Sequence, residues 1–383
     1  MTDGPIPLPI RIARRLEDAR RHTVAGLDAA LAARYPAFLR LWRRPAPRTT
    51  LILAALVLVI ALQPHTHLEW KFSHVLWDYR FGLIKRGLVG EVFARLFDTV
   101  SIDRFFWTFG ALLLVLAGLM ALTVAALPVT ASPVVLLYLC ATPMLLRNLV
   151  YDWGRFDVLG LIAVWLIALA LVRDWPGRFW LYALVPLVAF VHEGDLVIVA
   201  PFALMAILLF ERPAGGRWWL SALALAVTAT AGAVVLQLYG RLDVPPETML
   251  AHMASKTADR FEQPIEILTS SLTDNLRERL GFVVDKVVSL KFAAKLAVVL
   301  VLFRWLLPSG LRRGPVLLAM LAIAAGFLPL YPLGTDSFRW LALQANAAFA
   351  LLVVAVARYG ITRLPRDRVY LVALSVAVPP LGI

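Results

Sequence analysis

The chain has 383 residues, of which 61% are hydrophobic and only 16% charged, and its mean hydropathy is +0.77. This composition excludes an ordinary soluble globular domain and predicts a polytopic helical protein with the lipid bilayer as its first partner. The formal net charge of +13 favours contact with anionic lipid and argues against nucleic acid as a partner.

Residues 1–49 form a basic tail before the first apolar run. Apolar residues recur at helical spacing among the arginines of residues 10–19, which is the pattern of an amphipathic helix lying on anionic headgroups. Arginine pairs at 14–15, 20–21 and 43–44 predict that the tail stays in the cytoplasm, because short basic segments are retained there.

Residues 50–383 are expected to form a single transmembrane domain of about eleven helices, an all-α fold. The apolar runs are long and lack the ten-residue alternation of a membrane β-barrel. The predicted spans are 50–62, 105–127, 133–146, 158–172, 179–191, 196–210, 218–239, 292–307, 315–330, 341–357 and 369–383.

The distribution of arginine predicts the orientation of the spans. Counted from a cytoplasmic N-terminus, the loops with an excess of arginine around 173–178, 212–217, 312–313 and 358–368 all return to the cytoplasm. The opposite loops contain basic residues with nearly equal numbers of acids. The high content of Ala, Arg and Pro indicates a GC-rich bacterial genome, so we expect the inner membrane, with the opposite loops in the periplasm.

Two of these extracytoplasmic loops are long, at about 63–104 and 240–290. The first carries apolar residues at helical spacing over 82–97, which predicts an interfacial helix with its apolar side in the lipid. The second reads as a polar helical excursion after Pro245 and Pro246. The sequence leaves two interpretations of this segment: a lid or acceptor platform, or a solvated connecting helix.

Four polar clusters interrupt the apolar chain, and the span count puts all of them on the extracytoplasmic side. They are Asp78-Tyr79-Arg80, Tyr151 to Asp157, His192-Glu193-Gly194-Asp195 and Thr335 to Trp340. Charged side chains are costly near a bilayer and usually mark function when they persist there. The one-sided set therefore predicts a polar site at one membrane face.

The first cluster combines a candidate base with candidate phosphate ligands. Asp78 follows Trp77 at the membrane surface, where partial desolvation raises the proton affinity of a carboxylate. Arg80, Lys85 and Arg86 oppose that effect and suit a phosphate, which a guanidinium can grip through two parallel hydrogen bonds.

The other clusters repeat this combination of acids and bases. Two acid–base pairs have members three residues apart, Asp152 with Arg155 and Asp336 with Arg339. Each pair could be functional or could be a structural ion pair at the end of a span. In the third cluster, His192 is followed by two carboxylates, although Gly194 could simply make a turn and Asp195 cap the next helix. Together the clusters suit a substrate with a sugar and a lipid-linked phosphate.

The arrangement resembles the membrane glycosyltransferases of the GT-C type: a cytoplasmic tail, a first span, a long outer loop with a surface helix and an early aspartate, then many spans. The sequence motifs are also similar to those of uncharacterised membrane proteins of bacterial polysaccharide clusters. The resemblance implies a polyprenyl-phosphate-linked sugar as donor and a glycan or lipid as acceptor. It also implies an acidic base in the first outer loop, which by position is Asp78, and inversion at the anomeric carbon.

We therefore expect three carboxylates with catalytic roles, Asp78, Glu193 and Asp152. The expected substrate-binding residues are Tyr79, Arg80, Lys85, Arg86, Arg155, Asp157, His192, Asp336, Arg339 and Trp340. No cofactor or metal is expected, because the first loop lacks an adjacent Asp-Asp or Asp-Glu pair. A site made of His65, His67, His74 and Glu69 is a weak alternative.

Three other functions stay open. A polymerase of the O-antigen or exopolysaccharide type would also join lipid-linked sugars at the outer face. A transporter or flippase of an anionic lipid or solute is disfavoured, because the span interiors contain almost no charge and the two halves show no similarity. Acyl transfer with His192 as base rests on that one histidine.

Overall fold

The computed structural model describes residues 36–64, 69–129, 131–151, 153–212, 218–261, 265–269, 313–326 and 337–359. Every regular element in these ranges is helical, so the all-α prediction is confirmed for them. The predicted spans 292–307 and 369–383 lie outside the described residues, as does most of the N-terminal tail.

We number the α-helices in chain order. They are α1 (Pro36–Arg43), α2 (Pro45–Leu62), α3 (Glu69–Ser73), α4 (Gly87–Leu96), α5 (Ile102–Ala125), α6 (Ser132–Ala141), α7 (Asn148–Tyr151), α8 (Asp157–Val172), α9 (Phe179–Leu184), α10 (Leu187–Val191), α11 (Glu193–Ala206), α12 (Trp218–Tyr239), α13 (Pro246–Lys256), α14 (Glu266–Thr269), α15 (Arg313–Gly326) and α16 (Ser337–Tyr359). A short 3₁₀-helix, His74–Leu76, follows α3 directly.

Five helical segments are long and apolar enough to cross a membrane: Pro45–Leu62, Ile102–Ala125, Glu193–Glu211, Trp218–Tyr239 and Arg339–Tyr359. Shorter apolar helical segments occupy Ser132–Arg147, Asp157–Val172, Phe179–Val191 and Gly314–Gly326. These segments overlap nine of the eleven predicted runs. The protein is thus a helical membrane protein, while the total of eleven spans stays a prediction.

Two of these helices form the centre of the bundle. The apolar window of α16 is 94% buried, and α8 packs against α5, α11 and α16. By contrast, the windows of α2 and α12 are only 22% and 17% buried. A helix that is apolar on all sides needs either protein or lipid around it, so α2 and α12 present most of their surface to lipid.

Contacts between loops define two ends of the bundle. At one end, which we call the loop end, the Nε atom of Arg147 donates to the side chain of Gln63 over 3.2 Å. There Lys71 also donates to the carbonyl of Trp153 over 2.9 Å. At the opposite end, the indole of Trp42 donates to the carbonyl of Val129 over 3.3 Å. The described parts of the two long loops also meet at the loop end, where the backbone N–H of Lys85 donates to the carbonyl of Gly240 and that of Val100 donates to the carbonyl of Lys256.

The outer-loop helix is shorter than the apolar spacing of residues 82–97 predicts. Helix α4 begins at Gly87 because Arg86 has a left-handed backbone with φ of 63°, which an α-helix cannot include. The helix also packs on protein: a side chain at Gly90 would overlap the carbonyl oxygen of Trp77. Phe93 is buried in this contact, while Val92 and Leu96 are exposed.

Candidate functional site

Three helices begin close together at the loop end and bring charged residues with them. Asp157 lies in the first turn of α8, Glu193 and Asp195 lie in the first turn of α11, and Arg339 lies near the start of α16. The N-terminus of a helix carries a partial positive charge. These positions therefore favour carboxylates and other anions.

Arg86 connects the first outer loop to α11 through a two-pronged ion pair. Its Nε atom lies 2.9 Å from Oε2 of Glu193, and its Nη2 atom lies 2.5 Å from Oε1. Burial alone would lower the pKa of Arg86, but the charge and hydrogen bonds of Glu193 outweigh it and raise the pKa. The guanidinium is therefore permanently charged and held in a fixed orientation.

A second group of acids lies beside this pair. Oδ2 of Asp157 is 3.3 Å from Nε of Arg339. The neighbouring carboxylate of Asp195 is fully buried, and neither of its oxygens has a side-chain hydrogen-bond partner among the described residues. Donor atoms of Asp157, Asp195 and His192 all lie within 4.8 Å of one another. The three residues therefore form a group with the composition of a cation site.

His192 is the N-cap residue of α11. The capping role that the sequence left open for Asp195 therefore belongs to His192, and Gly194 lies inside the helix rather than in a turn before it. The Nδ1 atom of His192 accepts a hydrogen bond from the backbone N–H of Gly194 over 3.0 Å. Burial, reinforced by the nearby charge of Arg86, lowers the pKa of His192 to about 3. The imidazole is thus neutral at physiological pH, with its proton on Nε2.

Arg155 joins the same group from the segment before α8. Its guanidinium carbon lies 4.6 Å from the centre of the Trp70 ring, a cation–π contact. The charge of Arg155 also contributes to the lowered pKa of His192 and of His74. We call the following seven residues the arginine–carboxylate cluster: Arg86, Arg155, Asp157, His192, Glu193, Asp195 and Arg339.

Asp78 has a different set of partners. Its carboxylate contacts Nζ of Lys256 at 2.5 Å, Nε2 of His252 at 3.0 Å and the backbone N–H of Arg80 at 3.0 Å. Burial acts to raise the pKa of Asp78, but the hydrogen bonds from Lys256, His252 and the backbone outweigh it and lower the pKa. Asp78 is therefore a buried, ionised carboxylate.

Sequence reasoning missed His252 and Lys256. Both lie on α13, four residues apart on one face, in the loop that was predicted to be a polar helical excursion. That spacing was visible in the sequence, but nothing local indicated which acid the two would meet. The structure thus brings α13, in the described part of the second long loop, against the segment of the first loop that contains Asp78.

The remaining expected site residues are distributed as follows. Arg80 is exposed, Lys85 is partly buried, and Trp340 is buried. The hydroxyl of Tyr79 is buried, and this burial, with the charge of Glu91, raises the pKa of Tyr79 to about 12. Asp152 and Asp336 lie outside the described residues.

The structure therefore joins residues of the second, third and fourth polar clusters with Arg86 of the first long loop at one end of the bundle, and ties Asp78 of the first polar cluster separately to α13. Guanidinium groups at this end can hold a phosphate, and carboxylates can orient hydroxyls or hold a cation. No protein-family model, curated protein or solved structure matches this chain.

Proposed function

We propose that the protein is a membrane glycosyltransferase that moves a sugar from a polyprenyl-phosphate donor to a glycan or lipid acceptor, in the manner of GT-C enzymes. In this proposal the loop end faces the periplasm of a bacterium. The observation that carries the proposal is the arginine–carboxylate cluster, in which Arg86, Arg155 and Arg339 stand beside three carboxylates at the loop end of an apolar bundle.

The arginines suit the phosphate of such a donor. A guanidinium binds phosphate through two parallel hydrogen bonds, the geometry that Arg86 uses with Glu193. A donor phosphate can take the place of that carboxylate on Arg86, which frees Glu193 to bind sugar hydroxyls. The prenyl chain then lies along the lipid-facing helices, and the sugar lies among the loops.

In the proposed chemical step, a hydroxyl group of the acceptor displaces the donor phosphate. An acceptor hydroxyl oxygen attacks the anomeric carbon, its proton goes to Asp78, and the bond from the anomeric carbon to the phosphate oxygen breaks. The electron pair of that bond leaves with the polyprenyl phosphate, whose negative charge grows in the transition state. The arginines stabilise this charge more strongly than they stabilise the ground state, which is the source of the acceleration.

The location of the charges favours transfer over transport. The three carboxylates and Arg339 lie in or near the first turns of helices α8, α11 and α16, which in this proposal puts them at a membrane face. Transporters place their substrate and ion sites near the middle of the membrane, in broken helices. A polymerase of lipid-linked sugars would use the same arginines and is distinguished by its products.

The proposal is tested by the profile of surface glycans and lipid-linked oligosaccharides in a deletion strain. Complementation uses the wild type, Arg86→Lys and, as a matched control, Asp103→Asn, which changes an exposed charge at the start of α5. We expect the wild type and Asp103→Asn to restore the profile and Arg86→Lys, which loses the two-pronged geometry, to fail.

Purified protein in lipid nanodiscs gives the direct test. A radiolabelled polyprenyl-phosphate sugar and a lipid-linked acceptor should yield a labelled product that is one sugar longer, whereas a ladder of long products would identify a polymerase. An unchanged glycan profile in the deletion strain, together with no labelled product from a panel of donors, would contradict glycosyl transfer and favour transport.

A further inference from the structure

The carboxylate of Asp195 is an unusual polar group in the described part of the chain. It is fully buried, and neither oxygen has a side-chain hydrogen-bond partner among the described residues. A buried carboxylate without such a partner either takes up a proton or is paired with a cation or a metal. Because Asp157 lies beside Asp195, a bound cation would let both carboxylates stay ionised.

The backbone opposite Asp195 is shaped to receive this carboxylate. A Cβ atom placed on Gly160 of α8 would lie 2.8 Å from Cγ of Asp195 and 2.9 Å from Oδ1. The missing side chain at Gly160 therefore lets Asp195 reach the space beside Asp157. The two acids come from different helices, and His192, which precedes α11, completes a group with all donor atoms within 4.8 Å.

We propose that Asp157, Asp195 and His192 form a binding site for a divalent cation of the Mg²⁺ or Mn²⁺ type. The two carboxylates are its main ligands. His192 is the third donor once its Nδ1 atom exchanges the hydrogen bond from Gly194 for the cation. Arg339, 3.3 Å from Asp157, then orients a ligating carboxylate from outside the coordination shell, as such partners do in other metal sites.

The site also has a role in the proposed glycosyl transfer, and this role rests on that function. Mg²⁺ and Mn²⁺ are commonly held by one or two carboxylates and complete their shell with water and substrate phosphate oxygens. A cation at Asp157 and Asp195 would bind the donor phosphate together with Arg86. It would then share the charge of the departing phosphate with the arginines.

Mn²⁺ binding to the purified, chelator-treated protein in detergent tests the site without any substrate. Electron paramagnetic resonance should detect one saturable Mn²⁺ per chain in the wild type and in the control Asp103→Asn. Asp157→Asn and Asp195→Asn should weaken binding at least about tenfold, since even second-shell changes cost that much in known sites. Gly160→Ala should also weaken it, because it displaces Asp195 while keeping every ligand.

Size-exclusion elution and thermal unfolding of each variant exclude loss of folding as the cause. Absence of saturable Mn²⁺ binding to the wild type, or wild-type affinity in a folded Asp195→Asn protein, would overturn the site. Sugar transfer that persists in chelator without Mn²⁺ binding would overturn the site and leave the glycosyltransferase intact. Mn²⁺ binding without any sugar transfer would support the cation site and contradict the glycosyltransferase function.

Discussion

The ammonium nitrogen of Lys256 lies 2.5 Å from Oδ2 of Asp78, and the same nitrogen donates to the carbonyl of Leu76 over 3.0 Å. One side chain of α13 therefore neutralises the acid proposed as the base and fastens the second long loop to the first. Asp78 could thus accept the proton in the reaction, or it could hold α13 against the first long loop. The two roles predict different effects of mutation.

Asp78→Asn should lower the turnover rate at least about 100-fold if Asp78 accepts the proton, because a positioned base contributes that much to the rate. Lys256→Met breaks the same buried pair and keeps the carboxylate. It should lower the free energy of unfolding by roughly 3 kcal/mol and retain turnover at the optimum pH. Because Lys256 helps to lower the pKa of Asp78, the acid limb of the pH–rate profile should move to higher pH.

Steady-state kinetics over pH, with unfolding measured in the same detergent, check this prediction. Equal loss of turnover in Asp78→Asn and Lys256→Met, in proportion to lost stability, would reduce Asp78 to a tether. His252→Gln gives a further comparison, because it removes a second partner of Asp78 and leaves the ion pair with Lys256 in place.

Packing of the outer-loop helix on the segment before it predicts a strong difference between two glycines. Gly90→Ala would force a methyl group into the carbonyl of Trp77 and should lower the free energy of unfolding by about 1–3 kcal/mol, the usual cost of overpacking. Gly118→Ala is the matched control in α5, where a new Cβ meets nothing within 4 Å. It should be neutral or stabilise by about 0.5 kcal/mol.

Chemical denaturation in mild detergent measures both changes. Because α4 carries Arg86 into the site only when it is docked, Gly90→Ala should also weaken donor binding. Equal stability of the two alanine variants would mean that α4 is not held against Trp77 in the membrane.

The sequence predicted the elements that depend on local hydropathy and on the order of spans. The starts of α8 and α11 follow from apolar runs, and the alternation of spans brings Arg86, Glu193 and Arg339 to one end. The start of α4 at Gly87 was not predictable, because the apolar spacing extends over residues 82–97 while the backbone of Arg86 is left-handed.

The partners of Asp78 could not be predicted for a different reason. His252 is 174 positions away along the chain, on a polar helix whose docking depends on tertiary contacts. The position of the Asp195 side chain could not be predicted either, because it depends on the space that Gly160 leaves by lacking a side chain. The hydropathy of the span does not distinguish Gly160 from any other small residue, so it gives no indication of this contact.

At the opposite end of the bundle, two ion pairs of similar length should differ in energy. Arg178 lies 2.8 Å from Glu211, which is only 10% exposed and also accepts from the hydroxyl of Tyr182 over 3.0 Å. Arg358 lies 2.5 Å from Asp174, which is 61% exposed. Glu211→Gln should therefore cost about 3 kcal/mol, and Asp174→Asn less than about 1 kcal/mol.

Unfolding at low and high salt distinguishes these two pairs. The small contribution of Asp174 should vanish in high salt, because exposed charges are screened, whereas that of Glu211 should persist. A larger cost for Asp174→Asn than for Glu211→Gln would mean that the membrane or a neighbouring segment buries Asp174.

His74 should make the stability of the protein depend on pH. Its ring lies 4.4 Å from the ring of Trp77 and 5.7 Å from that of Phe156, measured between centroids. Burial, with the charges of Arg86 and Arg155, lowers the pKa of His74 well below its ordinary value. The folded protein therefore keeps this histidine neutral, whereas the unfolded chain protonates it near pH 6.5.

Since the unfolded state binds the extra proton, stability should be fully present above about pH 6.5 and fall as the pH drops toward the lowered pKa. His74→Phe keeps an aromatic ring and cannot titrate, so it should flatten this decline. The difference in unfolding free energy between wild type and His74→Phe, measured at pH 8 and pH 5, isolates the proton from the packing. A difference that is the same at both pH values would show that His74 is charged, or open to water, in the folded protein.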